Sequence, residues 1–265
     1  MNIIVTIKQV PDTNEVKIDA KTGTLIRHGV PSIINPEDKH ALEAALQIKD
    51  AHTDTKVTVL SMGPPQAKDA LLEALAMGAD HGCLVSDKAF SGADTLATAY
   101  TLSMAVKKLA PFDLILCGSQ AIDGDTAQVG PQLAECLGIA QITYATDIAV
   151  ADGVVEVKSV FGRTQRAVEA KLPALVTVVK ELNKPRYKTM NGIVKTFRDK
   201  TIQVFASDDL DLNPLRIGLA GSPTTVRKTF VPELGRKGLI KEGCADDLSD
   251  QFLDTLIEEN LMPGA

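Results

Sequence analysis

Cys117-Gly118-Ser119-Gln120-Ala121-Ile122-Asp123-Gly124-Asp125-Thr126-Ala127-Gln128-Val129-Gly130-Pro131 is the stretch whose reading decides the fold. It follows Asp113-Leu114-Ile115-Leu116, which reads as a buried strand. It leads into Val129, Leu133 and Leu137, whose spacing is helical. A strand, a polar glycine-bearing turn and a helix start is the arrangement by which an α/β sheet offers free backbone N–H groups and the positive end of a helix dipole to a phosphate.

Upstream, strands alternate with helices. Asn2–Lys8 reads as the first strand, and Lys56–Ser61 and His81–Ser86 as the next two. Between them, Glu37–Asp50 carries Ala41, Ala44, Ala45 and Ile48 on one face after Pro36. Pro64–Met77 carries Ala67, Ala70, Leu71 and Ala74, with Gly78 as its cap. Asp94 or Thr95 opens a helix that runs to Leu109. The βαβαβαβα order predicts a parallel sheet flanked by helices and joined by right-handed crossovers.

Beyond about residue 140 the pattern changes. Ile142–Val150, Val154–Phe161, Gln165–Lys171 and Ala174–Val179 are strand-like with no helix between them, which predicts additional edge strands. Residues 183–200 are polar and basic. From Ala206 to Gly243 no periodicity holds, as expected of an arm. Asp246–Leu261 reads as a short helix with Leu248, Phe252 and Leu256 on one stripe. The expected organisation is thus a nucleotide-binding α/β domain over 1–205 and a C-terminal arm with its helix over 206–265.

The chain has 265 residues, 45% hydrophobic, but only 4% aromatic and no Trp, so the core must be aliphatic, as in a sheet buried on both faces. A net charge of −6 argues against nucleic acid as the main partner. No apolar run reaches membrane-spanning length, and the first residues lack the basic region of a signal peptide, so the cytoplasm is the expected location. Cys83, Cys117, Cys136 and Cys244 have no C-x-x-C spacing and read as reduced thiols. His28, His40, His52 and His81 have no ligand spacing, and no metal is expected. G-x-G-x-x-G, Walker, G-x-S-x-G and H-E-x-x-H motifs are absent, so no catalytic residue is assigned.

What remains is binding. Gly118 and Gly124 permit close backbone approach. Thr126 offers a hydroxyl, residues 126–129 their amides, and Gln120 and Gln128 groups for ribose or phosphate oxygens. Asp123 and Asp125 have two readings: they cap the helix and complement its dipole, or one holds a ribose hydroxyl. Strand-end turns at Lys8-Gln9-Val10-Pro11 and Ser61-Met62-Gly63-Pro64, with the helix opening at Asn35-Pro36-Glu37-Asp38, would face the same crevice. Spacing alone points only weakly to an adenine nucleotide.

Several segments together carry a family resemblance: Lys8-Gln9-Val10-Pro11-Asp12-Thr13, Ile34-Asn35-Pro36, Ala76-Met77-Gly78-Ala79-Asp80, Gln120-Ala121-Ile122-Asp123, Leu172-Pro173-Ala174-Leu175-Val176-Thr177, and Leu182-Asn183 followed by Pro185-Arg186-Tyr187. The chain resembles the β subunit of electron-transfer flavoproteins from end to end. That resemblance implies an adenine-nucleotide α-hydrolase-like domain and an arm that embraces an α subunit. It implies contacts to the adenylate half of a cofactor from Thr6, Asn35, Asp38, Met62 and the positions Gly118–Val129. It also implies a loop around Tyr187-Lys188-Thr189-Met190 that docks a flavin-dependent dehydrogenase of acyl-CoA or 2-hydroxyacid type, with Met190 as apolar anchor.

The family has two types. One holds structural AMP in the β subunit, and the heterodimer carries a single FAD. The other holds a second FAD there, which divides the electron pair of NADH between the α-side FAD and ferredoxin or flavodoxin. The opening Lys8–Thr13 and the segment Ile217-Gly218-Leu219, Gly221-Ser222-Pro223-Thr224 resemble the second, bifurcating type. Phe161-Gly162-Arg163 replaces an acidic-glycine pair common in the AMP type, and Arg163 and Arg166 either approach the flavin or are solvated. The implied protein is an electron-transfer subunit, not catalytic as an isolated chain. A nucleotide-binding sensor is the reading from another class.

Overall fold

Short runs of Val, Ile and Leu with period-two burial build the sheet. Ile3 and Val5 face one side and Ile4 the other; Leu114 and Leu116 face one side and Ile115 and Cys117 the other. Such strands are buried on both faces. The computed structural model describes residues 1–12, 17–18, 25–26, 31–199, 202–227, 238, 240–259 and 261–262. The strands are β1 (Asn2–Thr6), β2 (Gln9–Pro11), β3 (Lys17–Ile18), β4 (Leu25–Ile26), β5 (Ser32–Ile34), β6 (Lys56–Met62), β7 (His81–Val85), β8 (Leu114–Gly118), β9 (Ala140–Ala151), β10 (Val154–Phe161), β11 (Thr164–Lys171), β12 (Ala174–Val178) and β13 (Ile202–Phe205). The helices are α1 (Pro36–Ala51), α2 (Lys68–Met77), α3 (Thr95–Leu109), α4 (Val129–Leu137), α5 (Met190–Asp199) and α6 (Ala245–Glu258).

Nine strands form one sheet in the order β11-β10-β9-β12-β8-β1-β6-β7-β13. All neighbours are parallel except β9-β10 and β10-β11, which form the antiparallel edge. Residues of α1 and α2 share a core with Ile3, Val5, Val57 and Leu116, and residues of α3 and α4 share another with Ile4, Leu60 and Ile115. The helices therefore cover opposite faces. The chain moves from β1 through α1 to β6 on one side, then returns through α3 to β8 on the other. The carboxyl ends of β1 and β8 thus flank the topological switch point, where open α/β sheets hold ligands.

Helix boundaries follow local chemistry. Asp94 caps α3, accepting from the N–H groups of Leu96 and Ala97 at 3.0 and 3.1 Å. Gly78 ends α2 at φ 133°, a value a side chain disfavours. The first strand stops at Thr6, two residues before its expected end, because the N–H of Lys8 leaves the ladder for the Asp38 carboxylate at 2.8 Å.

The fold adds two elements to the expected outline and divides the chain at another place. The polar stretch 183–200 contains α5, and Ile202–Phe205 adds β13 beside β7. The domain edge expected at 205/206 falls at 227/228: one compact unit spans Met1–Arg227 and a second Lys228–Ala265. Residues 206–227 belong to the first unit because they clasp α3. Leu210 and Ile217 are buried, the Asn213 N–H donates to the Tyr100 hydroxyl at 2.9 Å, and Arg216 stacks on the Tyr100 ring at 4.0 Å. Within the second unit α6 buries none of its residues, and Phe252, Leu253 and Ile257 are exposed. No helix among the described residues is long and apolar enough to cross a membrane.

Candidate functional site

The crevice at the ends of β1 and β8 is built from two helix N-termini and the loop between Gly118 and Val129. At the first, Asn35 precedes α1, a position where its side chain would ordinarily cap the helix. It makes no such bond. Its Nδ2 instead donates to the Gln120 carbonyl at 2.8 Å, and its Oδ1 accepts from the Ile122 N–H at 3.1 Å. Glu37 Oε2 accepts from the Ser119 hydroxyl at 2.6 Å and from the Gln120 N–H at 2.8 Å. Asp38 accepts from the N–H groups of Lys8 and Gly118 at 2.8 and 3.1 Å, joining the ends of β1 and β8. These carboxylates lie in the first turn of α1, where the dipole favours negative charge.

Burial nevertheless dominates at Asp38. Its carboxyl is pushed up to about 7, because desolvation of the charge outweighs the amide donors and Glu37 adds repulsion. Beside it the Cys117 thiol is pushed up to about 12, first by burial and then by Asp38, against the opposing hydrogen bond of Thr6. Gly118 is required here: a Cβ would collide with Asp38 Oδ1 and press on Glu37 Cβ at 2.8 Å.

The second N-terminus differs. Gln128 precedes α4 and makes no side-chain cap, so Asp123 and Asp125 do not cap this helix. Asp123 is paired with Lys8 Nζ at 2.6 Å, and the Asp125 N–H returns to the Ala121 carbonyl at 2.8 Å. Asp125 and Ala127 hold left-handed φ of 51° and 52°, while Gln128 is right-handed at φ −110°, ψ −28°. A left-handed residue followed by a right-handed one turns successive N–H groups toward one point, which suits an anion. Among the described residues the N–H groups of 126–129 find no partner, and Thr126 and Gln128 are exposed. The Gln128 Oε1 accepts from the Thr95 hydroxyl at 2.9 Å, tying this loop to the start of α3.

The structure therefore gathers Thr6, Asn35, Asp38, Gly118, Gln120, Asp123 and the 124–129 arch at one edge of the sheet. Met62 and Gly63 close β6 beside β1, with the Gly63 N–H on the Val85 carbonyl at 3.0 Å. No protein atom constrains Gly124: a Cβ there meets nothing within 4 Å. The constrained glycine of the loop is Gly130, whose Cβ would lie 2.6 Å from Thr177 Cγ2 and 2.9 Å from Cys117 Sγ. Sequence reading also missed Glu37 and Lys8 as loop fasteners. Their one signal was position, at a helix start and a strand end facing the same crevice.

Tyr187 and Met190 are not part of this crevice. They are 88% and 77% exposed, and Val194 and Phe197 continue an exposed apolar stripe along α5. Arg166 stacks on the exposed Phe161 at 4.6 Å on the antiparallel edge.

Residues 22–210 match the electron transfer flavoprotein domain. The chain is 49% identical to the electron transfer flavoprotein subunit beta of Clostridium acetobutylicum, covering 98% of this chain and 99% of that one. It is 48% identical to the caffeyl-CoA reductase-Etf complex subunit CarD of Acetobacterium woodii, over 99% and 100% of the two chains. It is 43% identical to protein FixA of Azorhizobium caulinodans, over 88% and 85%.

Proposed function

This chain belongs to the electron transfer flavoprotein family, among its β subunits, and from that premise we propose that it binds FAD and works with an α subunit in flavin-based electron bifurcation or its reverse. The observation that carries the nucleotide reading is the arch of N–H groups at 126–129, without partners among the described residues and shaped by left-handed Asp125 and Ala127. It fits a phosphate: amide donors approach an anion closely without a side chain between them. Gly118, Asn35, Gln120 and Asp38 fasten the wall on which the adenylate half rests. Thr6, Met62 and Gly63 supply the strand ends beneath it, and Gln128 and Thr126 the polar groups beside the phosphates. Asp123 is set for a ribose hydroxyl once Lys8 releases it.

FAD, when bound, supplies the redox chemistry, in which the two electrons of a hydride from NADH part singly toward the α-side FAD and toward ferredoxin or flavodoxin. The chain's own residues bind and orient the dinucleotide and exclude water from its adenylate end. The name of CarD places that relative in a reductase complex. By analogy the exposed Tyr187, Met190, Val194 and Phe197 dock a flavin-dependent dehydrogenase of acyl-CoA or 2-hydroxyacid type in the cytoplasm. The exposed Phe252, Leu253 and Ile257 of α6 pack on the α subunit.

The second reading, structural AMP with one FAD on the α side, rests on one observation: among the described residues the crevice offers a single arch of free N–H groups, as one phosphate needs. Acid extraction of the purified αβ complex followed by chromatography decides. Two FAD per heterodimer support the bifurcating reading; one FAD and one AMP replace it with the second.

A further inference from the structure

The segment that leads to Tyr187 is riveted to α1, the helix whose first turn fastens the nucleotide loop. Glu43 lies two turns into α1 and is only 4% exposed. Both of its oxygens are engaged: Oε2 accepts from the Arg186 backbone N–H at 3.0 Å and from Nε at 2.8 Å, and Oε1 accepts from Nη2 at 3.0 Å. Arg186 Nη2 also reaches Asp50 Oδ2 at 2.8 Å, on the last turns of the same helix. Three residues earlier, Asn183 Nδ2 donates to the His40 carbonyl at 2.9 Å, and its Oδ1 sits 3.0 Å from His40 Nδ1. On the far side Gly192 lies so close to α2 that a Cβ would collide with the Ala76 carbonyl. Between these two attachments Tyr187, Lys188, Thr189 and Met190 are exposed.

A fork-to-fork Arg–carboxylate pair fixes direction as well as distance. A carboxylate buried to this degree is costly to desolvate unless its partner is held in place. Packing alone could have closed this surface with apolar residues. A buried ion pair instead gives one register for the segment that follows it. We propose that Glu43 and Arg186 are positioning residues for partner docking: the pair holds the 187–197 surface in one orientation relative to α1, and so to the nucleotide crevice at the start of that helix. This rests on the docking reading of Met190. Neither residue touches the crevice groups.

The test uses the αβ complex with a flavin-dependent acyl-CoA dehydrogenase as electron partner. Glu43→Gln keeps the shape and removes the charge. It should raise the KM for the dehydrogenase about tenfold, the scale of coupling within one hydrogen-bonded network. The kcat at saturating dehydrogenase should stay within about twofold and the bound nucleotide should be unchanged. Hydrogen exchange should quicken across 187–199 and not across 118–130. Arg186→Lys should recover part of the KM lost in Arg186→Gln, and Glu43→Gln with Arg186→Gln should be no worse than either alone. An unchanged KM, a fall in kcat without a rise in KM, additive single effects, or nucleotide loss in step with KM would each overturn the proposal. Met190→Glu separates the levels. If it raises KM while Glu43→Gln does not, the docking reading stands and the positioning role falls. If neither raises KM, both fall.

Discussion

Two helix N-termini face the same crevice, and they are finished in opposite ways. At the start of α1 the side chains are spent on the neighbouring backbone: Asn35, Glu37 and Asp38 take up the N–H groups of Lys8, Gly118, Gln120 and Ile122. The start of α4 is left open, with no acidic residue in its first turn and with left-handed residues just before it. Both ends carry the same positive dipole, so the dipole does not choose where an anion goes. The free donors do. The first terminus serves as a fastener for the loop, and the second is left for a ligand phosphate.

The largest expected difference between the two ends is in pH response. With its folded value near 7 and an ordinary value of 3.8, Asp38 binds its proton more tightly folded than unfolded. Its contribution to stability therefore falls as pH rises from about 4 to about 7, by up to ~4 kcal/mol, and is level above that. Chemical denaturation followed by circular dichroism should show this fall in the native chain. Asp38→Asn should lack that part of it. Parallel curves for the two proteins would mean that the carboxylate is solvated and the fastener loose.

At the open end, Val129→Pro removes one amide and, through the restriction proline places on its predecessor, pushes Gln128 out of its right-handed conformation. Val129 is the first residue of α4, a position that tolerates proline. The helix should persist while affinity for the nucleotide drops by about ten- to hundredfold, the scale of one lost charge-assisted bond. Titration calorimetry with the nucleotide-depleted complex measures it, and unchanged affinity would remove the phosphate from this arch.

Smaller still is Gly130→Ala. Alanine improves helix propensity by up to ~1 kcal/mol, but its Cβ would press on Thr177 Cγ2 at 2.6 Å and Cys117 Sγ at 2.9 Å. Thr177 is buried in β12 and cannot yield. Overpacking should win, lowering stability by ~1–2 kcal/mol and lifting α4 from the sheet, seen as a lower melting temperature with weaker nucleotide retention. Gly124→Ala completes the series. Nothing stands within 4 Å of that Cβ, so stability should change by less than ~0.5 kcal/mol. A loss of nucleotide without a loss of stability would show that the ligand itself approaches residue 124.

Much of this fold is legible in the chain. The helix opened by Asp94, the end of α2 at Gly78, and the strands from Ala140 to Val178 declare themselves through capping chemistry, glycine and the spacing of apolar residues. So does α6, whose Leu248, Phe252 and Leu256 fall at helical intervals. The segment 202–227 does not. Its Leu210 and Ile217 have no period, because a strap that crosses α3 is buried one residue at a time, wherever it meets a neighbour. The α5 helix does carry a helical spacing, Met190, Ile193, Val194 and Phe197 at i, i+3, i+4 and i+7, set among basic residues, while its close contact with α2 is made through Gly192, which has no side chain to mark it.

The sequence by itself determined the alternation of strands and helices, the polar turn between Gly118 and Val129, and family membership, since periodicity, turn chemistry and shared segments are local properties of a chain. Only the tertiary structure decided that Asn35 abandons its own helix to hold residues 120 and 122, that Asp38 spans two strand ends, and that Glu43 anchors Arg186. Each bond joins residues 30 to 143 positions apart. A carboxylate or amide has the same local signature whether it meets water or a distant backbone N–H. Its partner is fixed only when the sheet has ordered its strands and brought the two helix starts to one edge.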